Sequence, residues 1–109
     1  MATKADLTID QGTSFSTQLT MTDQYGNQVP LTGYNANSQI RKWYTSLNPS
    51  AVFATTVNPA TSTITLELTP DQTANMDSGR YVYDVEISNG YTVTRVVEGI
   101  VTVTPQVTR

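Results

Sequence analysis

The amino-acid sequence predicts a single all-β domain in which two sheets pack face to face. Thr is the commonest residue, and together with Val, Ile and Tyr it favours β-strands. Apolar residues recur at every second position in segment after segment, which is the period of a half-buried strand. Turn-forming residues separate these segments at intervals of about ten residues. This pattern is typical of a β-sandwich, and a small closed barrel is the alternative.

Length and composition are those of one small folded domain. A chain of 109 residues can bury one hydrophobic core. With 38% hydrophobic and 14% charged residues, it is neither charge-rich like a disordered tail nor as apolar as a membrane protein. We therefore expect one domain over residues 1–109, with short arms at Met1–Ala5 and Pro105–Arg109 that lack strand patterning.

The residue inventory limits the possible chemistry. The formal net charge is -3 and the six Lys and Arg are scattered, so no basic stripe for nucleic acid is present. The chain has no Cys and no His, which excludes thiol or imidazole catalysis, zinc sites and disulfides. We predict no catalytic residue, no cofactor and no metal. The start of the chain lacks the apolar region of a signal peptide, and we expect no contact with a membrane.

Three strands are predicted in the first half of the chain. Alternating apolar residues place them at Leu7–Ile9, at Phe15–Met21 and at Tyr34–Ile40. The turn-forming stretch Asp23–Asn27 ends the second strand. Val29–Leu31 contains a proline without an N–H group, so this stretch can only be an edge or the entry to the third strand.

Further elements follow in the second half. Ala51–Val57 is a weaker strand between two Asn-Pro turn signals, and Ile64–Leu68 shows the clearest alternation. Thr69, a following proline and Gln72 form a capping box, which predicts one helical turn to about Met76.

A hairpin is predicted to end the domain, with strands at Tyr81–Ile87 and Tyr91–Val103. A two-residue turn would mix its two faces, so we favour a three-residue loop with Gly90 left-handed. The loop would point Arg95 inward beside Tyr83. The pairs expected from it are Ile87 with Tyr91, Val85 with Val93, Tyr81 with Val97 and Arg80 with Glu98.

The segment that enters this hairpin carries a recognisable motif. Asp77–Tyr83 reads D-S-G-R-Y-V-Y, which resembles the immunoglobulin signature D-x-G-x-Y-x-C at Asp77, Gly79 and Tyr81, with Tyr83 in the Cys place. The resemblance implies an immunoglobulin-like β-sandwich of about seven antiparallel strands with one short helical turn. It also implies that the Tyr81 hydroxyl bonds back to the main chain just upstream. The simpler alternative is a strand entered through an Asp-Ser-Gly turn.

Most of the chain resembles a family of phage proteins. The matching segments are Asp6–Ser16, Asp23–Arg41, Gly79–Ile87 and Thr94–Arg109. They are similar to the immunoglobulin-like domain of tailed-bacteriophage virion structural proteins, including the N-terminal domain of upper baseplate proteins. The long C-terminal domains of baseplate proteins do not follow Arg109, which favours a free-standing subunit.

The resemblance implies a non-enzymatic virion structural protein that acts through protein–protein contacts. We expect a capsid decoration, cement or accessory subunit, and a baseplate, tail or neck subunit is the alternative. Its partners would be other virion proteins, either the major capsid protein or a tail or baseplate protein. We expect a homo-oligomer or many copies in the particle, made in the host cytoplasm and located in the virion.

One stretch of large side chains is the candidate for these contacts. Arg41, Lys42, Trp43 and Tyr44 include the residue types enriched at binding hot spots. Trp43 either projects outward or is the core tryptophan of the third strand, because the phase beyond Ile40 is open. A second alternative function is a polysaccharide-binding adhesion module. Its stacking platforms would be Trp43, Tyr44 and either Tyr25 or Tyr91.

Asp84 and Glu86 lie two apart on one face of a predicted strand. A calcium site or a catalytic carboxylate pair would need such groups, but no third ligand lies nearby in the sequence. We interpret both as acidic residues on the outer face of the strand.

Overall fold

The computed structural model describes residues 3–22, 25–28, 30–43 and 50–107. Parts of the predicted turn at 23–27 and of the 29–31 stretch, and the whole of the first Asn-Pro signal, lie outside the described residues. The described part contains nine strands and one helix: β1 (Thr3–Lys4), β2 (Leu7–Asp10), β3 (Phe15–Thr20), β4 (Asn35–Arg41), β5 (Ala51–Val52), β6 (Ala54–Asn58), β7 (Thr63–Leu68), α1 (Pro70–Ala74), β8 (Gly79–Ser88) and β9 (Val93–Thr104).

Two sheets enclose the core. The larger has the order β1-β9-β8-β4-β5, with β2 also paired to β9, and the smaller has the order β3-β7-β6. Alternate residues of the longer strands, except at the start of β9, point between the sheets, as the period-two pattern predicted. The all-β sandwich is therefore confirmed. Its core is formed by Ile9, Met21, Leu31, Ala36, Ile40, Phe53, Ile64, Leu66, Leu68, Met76, Tyr81, Tyr83, Val85, Ile87, Val97, Val101 and Val103.

The N-terminal arm differs from the prediction. Thr3 pairs with Val97 and Leu7 with Val101, and both pairings are parallel to β9. The expected set of antiparallel strands therefore gains two parallel members. A two-residue strand is too short to show alternation, which is why β1 is not visible in the sequence. At the other end, Pro105–Val107 forms no strand.

The predicted strand at Ala51–Val57 is divided at Phe53. β5 pairs with β4 in the larger sheet, whereas β6 pairs with β7 in the smaller one. Phe53 is buried between them, and its N–H donates to the Ser38 oxygen at 3.0 Å. The Thr55 hydroxyl donates to the Ala36 oxygen at 2.8 Å. The chain thus closes one side of the sandwich by passing from one sheet to the other.

The helix begins as its capping box predicted. The Thr69 hydroxyl accepts a bond from the Gln72 N–H at 3.2 Å, and the Gln72 side-chain oxygen accepts one from the Thr69 N–H at 2.9 Å. α1 ends at Ala74, two residues before the predicted end. This short helix crosses from β7 of the smaller sheet to β8 of the larger one.

The register predicted for the last hairpin is wrong by four residues up to Val85 and by three residues between the bulge and the loop. Val85 pairs with Val97 instead of Val93, and Tyr81 pairs with Val101 instead of Val97. A slip by an even number keeps the same side chains inside, so the predicted inward set on β8 is unaffected. The other predicted pairs change too: Ile87 lies opposite Thr94 and Arg80 opposite Thr102.

Two local features produce this register. The Asn89 side-chain oxygen accepts bonds from the N–H groups of Tyr91 and Thr92, both at 2.9 Å, which makes the loop longer than three residues. Gly90 is left-handed with φ +91°, as expected. A bulge then leaves Val96 without a direct partner on β8. Tyr91, expected inside, is 95% exposed.

Candidate interaction surfaces

The Asp77–Tyr83 motif forms the corner that the resemblance implies. The Tyr81 hydroxyl donates to the Asp77 main-chain oxygen at 2.7 Å, and the Tyr81 ring is buried. Gly79 enters β8 with φ +137°, a conformation that favours glycine. The turn at Asp77 that leads into β8 is therefore held by a hydrogen bond from Tyr81, a buried residue of the same strand.

Aromatic rings occupy the place of the immunoglobulin disulfide. The Tyr83 ring packs edge-on against Phe53 with centroids 6.1 Å apart, and Phe53 packs against Phe15 at 6.0 Å. Phe15 lies on β3 and Tyr83 on β8, so this chain of rings links the two sheets through the core. Ring pairs in these geometries are favourable by about 0.5–1.5 kcal/mol beyond their burial.

Lys42 is held at the corner. Its Nζ donates to the Arg80 main-chain oxygen at 3.0 Å and lies 4.6 Å from the centre of the Tyr81 ring. The Trp43 ring centre is 5.8 Å away from the same atom. An added Cβ at Gly79 would lie 3.2 Å from this nitrogen. The corner thus positions the ammonium group between two aromatic rings.

Trp43 is 65% exposed, so its interpretation as a core tryptophan is wrong. β4 ends at Arg41, and the strand alternation that buries Ile40 does not extend to position 43. Arg41 is half-buried and donates to the Gln39 side-chain oxygen at 2.7 Å. Tyr44, the fourth candidate, lies outside the described residues. The structure brings Lys42 and Trp43 together and places Arg41 in another group.

Arg41 belongs to a group of charged and polar side chains on the outside of the larger sheet, which we call the charged face. Arg95 lies at its centre, with its Nε 3.3 Å from an Asp84 oxygen and an Nη 3.4 Å from a Glu98 oxygen. The predicted inward position of Arg95 is therefore wrong, since the bulge turns this side chain outward. The side chains around Arg95 line a depression of about 250 Å³ on this face. The charged face comprises Gln39, Arg41, Asp84, Glu86, Arg95 and Glu98.

The ion pairs of this face contribute little to the stability of the fold. Exposed ion pairs contribute only about 0.2–1 kcal/mol, and the Arg95 side chain is 54% exposed. Positive and negative groups alternate on this face, and such a pattern is complementary only to a surface with the opposite arrangement of charges. Asp84 is engaged by Arg95, and no three acidic side chains in the described part of the chain gather as metal ligands.

Sequence reasoning had identified part of this face only. The sequence indicated Arg41 as a contact candidate and placed Asp84 and Glu86 on the outer face of a strand. It did not group Arg95 and Glu98 with them. Their grouping depends on the pairing of β8 with β9. The outward phase of β9 was the available signal, and it required the correct register.

The outside of the smaller sheet is very different. Its cross-strand rows join Thr20 to Thr63 and Gln18 to Thr65, so hydroxyl and amide groups lie side by side. Glu67 is its one charged residue. We call this surface the threonine face; it comprises Ser16, Gln18, Thr20, Ala54, Thr56, Asn58, Thr63, Thr65 and Glu67.

The exposed aromatic residues do not form one platform. Tyr25 is 79% exposed on the loop that leads into β4 at Asn35, and Asn35 pairs with Ser88, next to the loop that carries Tyr91. These two tyrosines therefore share one end of the sandwich. Trp43 lies at the opposite end, because Lys42 beside it bonds to Arg80 near the start of β8, and the ten residues of β8 to Ser88 extend about 30 Å.

Two sheets, a crossing helix between β7 and β8 and the tyrosine corner define an immunoglobulin-like β-sandwich. No protein-family model matches the chain, and a search of curated proteins found no match. Among solved structures, the crystal structure of Listeria monocytogenes InlP is similar, with a TM-score of 0.50 and 18% identity over 94% of this chain. This chain spans 28% of the length of that one, and at this identity the likeness concerns the fold alone. Across the described residues, no helix has the length and apolar character needed to cross a membrane.

Proposed function

We propose that the chain is a non-enzymatic structural subunit of a tailed-bacteriophage virion, most specifically a capsid decoration, cement or accessory protein. The main support for the proposal is that the charged face lies within the segments that resemble phage virion proteins. The residues of the charged face all belong to segments that resemble phage virion proteins, namely Asp23–Arg41, Gly79–Ile87 and Thr94–Arg109. The part of the molecule that the resemblance covers is thus a sheet together with its outer contact surface.

The charged face suits a protein partner. It lies on three neighbouring strands, so the spacing of its residues is set by main-chain pairing. Asp84 and Glu98 are half-buried, which gives their charges fixed positions. Preorganised charges of both signs favour one docking orientation and disfavour others. A repeated subunit in a particle needs this kind of orientation.

The direct test is the composition and imaging of purified particles of the phage that encodes the chain. We expect the protein in many copies on the head, in contact with the major capsid protein. A few copies at the tail would instead support a baseplate, tail or neck subunit. Presence in the infected-cell lysate together with absence from particles would refute the proposal.

Charge reversal tests the surface itself. The Glu86→Arg variant changes the charged face, and the matched Glu67→Arg variant makes the same change on the opposite sheet. We expect the first to lower the copy number in particles and the second to leave it unchanged. Equal incorporation of both variants would show that the charged face is not the contact.

A polysaccharide-binding adhesion module is the second candidate function. The shared location of Tyr25 and Tyr91 favours it, since two exposed rings at one end can stack on neighbouring sugars. Pull-down with host-cell polysaccharide should then lose binding in Tyr91→Ala. Trp43→Ala, at the far end, serves as the control. Loss in Trp43→Ala alone would place the site at the corner instead.

A further inference from the structure

β3 is an edge strand of the smaller sheet. It pairs with β7 without interruption from Phe15 opposite Leu68 to Thr20 opposite Thr63. Among the described residues, no strand pairs with β3 on its other side. One side of this six-residue strand is therefore open.

The main-chain groups on that open side can be assigned. Met21 continues the register, and its N–H donates to the Ser62 oxygen at 2.8 Å. Bonded and non-bonded pairs alternate along an antiparallel ladder, so the odd-numbered residues of β3 bond to β7. Ser16, Gln18 and Thr20 consequently point their N–H and C=O groups away from the sheet. All three residues are exposed.

Within the part of the chain that the structure describes, β3 has none of the features that prevent an edge from pairing. Edges are usually protected by charged residues, proline, a bulge or a covering segment. The stretch Gln11–Thr22 contains no charged residue and no proline, and its pairing shows no bulge. β6, at the other edge of the same sheet, is tied to the larger sheet, because the Thr55 hydroxyl bonds to the Ala36 oxygen of β4 and β6 follows directly on β5.

A groove lined by both apolar and polar side chains, including Arg95 of the charged face, runs beside this edge. It lies between the end of β3 and the first half of β9, has a volume of about 360 Å³ and reaches the core side chains Met21, Leu31 and Ile87. Leu19 and Val96, both half-buried, form its rim. A strand added beside β3 would lie along this groove and cover part of it.

We propose that β3 pairs antiparallel with β3 of a second copy, around a two-fold axis at Gln18. In this register Gln18 faces Gln18 and Ser16 faces Thr20, so the outward-pointing groups of both strands form six main-chain hydrogen bonds. The side chains that meet are all uncharged. This matters because each copy has a net charge of -3, and a charged edge would set like charges directly opposite.

The threonine face supports the choice of a second copy. Pairing at β3 joins two threonine faces into one six-stranded surface with the strand order β6-β7-β3-β3-β7-β6. Self-pairing needs a strand that is complementary to itself, and an uncharged strand with alternating polar and apolar positions meets that condition. The surface is separate from the charged face and does not depend on the proposed function.

Sedimentation velocity over a concentration series tests the pairing. We expect a dimer whose fraction rises with concentration. Gln18→Lys sets two ammonium groups opposite each other at the axis and should weaken the dimer by about tenfold or more, whereas Thr65→Lys on the central β7 adds the same charge away from the edge and should not. A wild-type chain that stays monomeric, or a Gln18→Lys variant that dimerises normally, would overturn the proposal.

Cysteine cross-linking tests the register independently of charge. Opposed residues in a bonded pair have Cα atoms about 5.5 Å apart, within the range of a disulfide. The chain has no Cys, so Gln18→Cys introduces a unique thiol that should form a covalent dimer on mild oxidation. In Ser16→Cys the two thiols would lie about 14 Å apart along the strands and should not cross-link. Equal cross-linking of both variants would contradict the two-fold register.

The two proposals fail separately. A dimer in solution with no protein in particles would refute the virion function and leave the β3 pairing intact. Particles that contain the protein while the purified chain shows neither dimer nor cross-link would refute the β3 pairing alone.

Discussion

The hydroxyl of Tyr83 donates a hydrogen bond of 2.5 Å to the main-chain oxygen of Ala5, which lies 78 positions earlier in the chain. Tyr83 is opposite Gly99 on β9, and an added Cβ at Gly99 would overlap the same Ala5 oxygen. Next to it, the Asp6 side chain accepts a bond from the Ile100 N–H at 3.0 Å. The link between β1 and β2 is thus held by the Tyr83 hydroxyl, and it fits against β9 because Gly99 has no side chain.

Removing this hydroxyl should loosen the N-terminal strands. Tyr83→Phe keeps the ring but leaves the Ala5 oxygen without its donor, so we expect a loss of about 1–3 kcal/mol in the free energy of unfolding. Chemical denaturation measures the loss. Amide hydrogen exchange should show that β1 and β2 lose more protection than β7. Tyr91→Phe, at an exposed position, should change neither quantity.

The same residue predicts how stability depends on alkaline pH. Burial, together with the nearby Asp6 carboxylate, raises the pKa of Tyr83 from 10.0 to about 12. The folded state therefore favours the neutral phenol, and this contribution is complete below pH 10 and is lost as the pH rises through about 12. The difference in unfolding free energy between wild type and Tyr83→Phe should shrink over that interval. A difference that stays constant from pH 7 to 12 would contradict the assignment.

Gly99→Ala should displace the N-terminal strands by a steric route. Its methyl group would enter the space of the Ala5 carbonyl, and main-chain atoms cannot give way as a flexible side chain can. We expect exchange protection to fall in β1 and β2 together with a lower midpoint of unfolding. Gly90→Ala is the comparison, since this glycine has φ +91° and open space around it. Its strain should affect the hairpin loop and leave β1 paired.

The Tyr81 side chain makes two interactions, a hydrogen bond to Asp77 and a ring contact with Lys42, and their contributions to stability can be measured separately. Tyr81→Phe removes the bond to Asp77 but keeps the ring under Lys42, and we expect a loss of about 0.5–1.5 kcal/mol. Tyr81→Leu removes both and should cost more. Adding Lys42→Met to each variant in thermal or chemical unfolding isolates the cation–π contribution. An equal effect of Lys42→Met in both backgrounds would show that the ring contact contributes nothing.

Local patterns predicted the elements well. The alternation around Ile40 and Val85 identified their strands and inward faces, and Thr69 with Gln72 predicted the start of the helix. Each of these depends on residues a few positions apart. The sequence left open whether Trp43 faces the core, because this residue follows the end of β4, where the alternation of a strand no longer applies.

Pairing between strands was harder to predict. The position of Val85 opposite Val97 depends on the bonds of Asn89 within its loop and on the bulge at Val96. Up to the bulge, the four-residue slip buries the same kinds of side chain, so the hydrophobic pattern there could not distinguish the two registers. The charged face around Arg95 follows from that register and was therefore not predicted as a group.

The sequence by itself determined the position of most strands and the side of them that faces the core, since both depend on neighbouring residues; the short β1, the division at Phe53 and the start of β9 are the exceptions. Only the tertiary structure decided that β1 and β2 lie parallel to β9, that the chain changes sheets at Phe53 and that β3 has an open edge. The physical reason is that these features depend on hydrogen bonds and contacts between distant segments. The bond from Tyr83 to Ala5 is one of them, and no local pattern in the chain signals it.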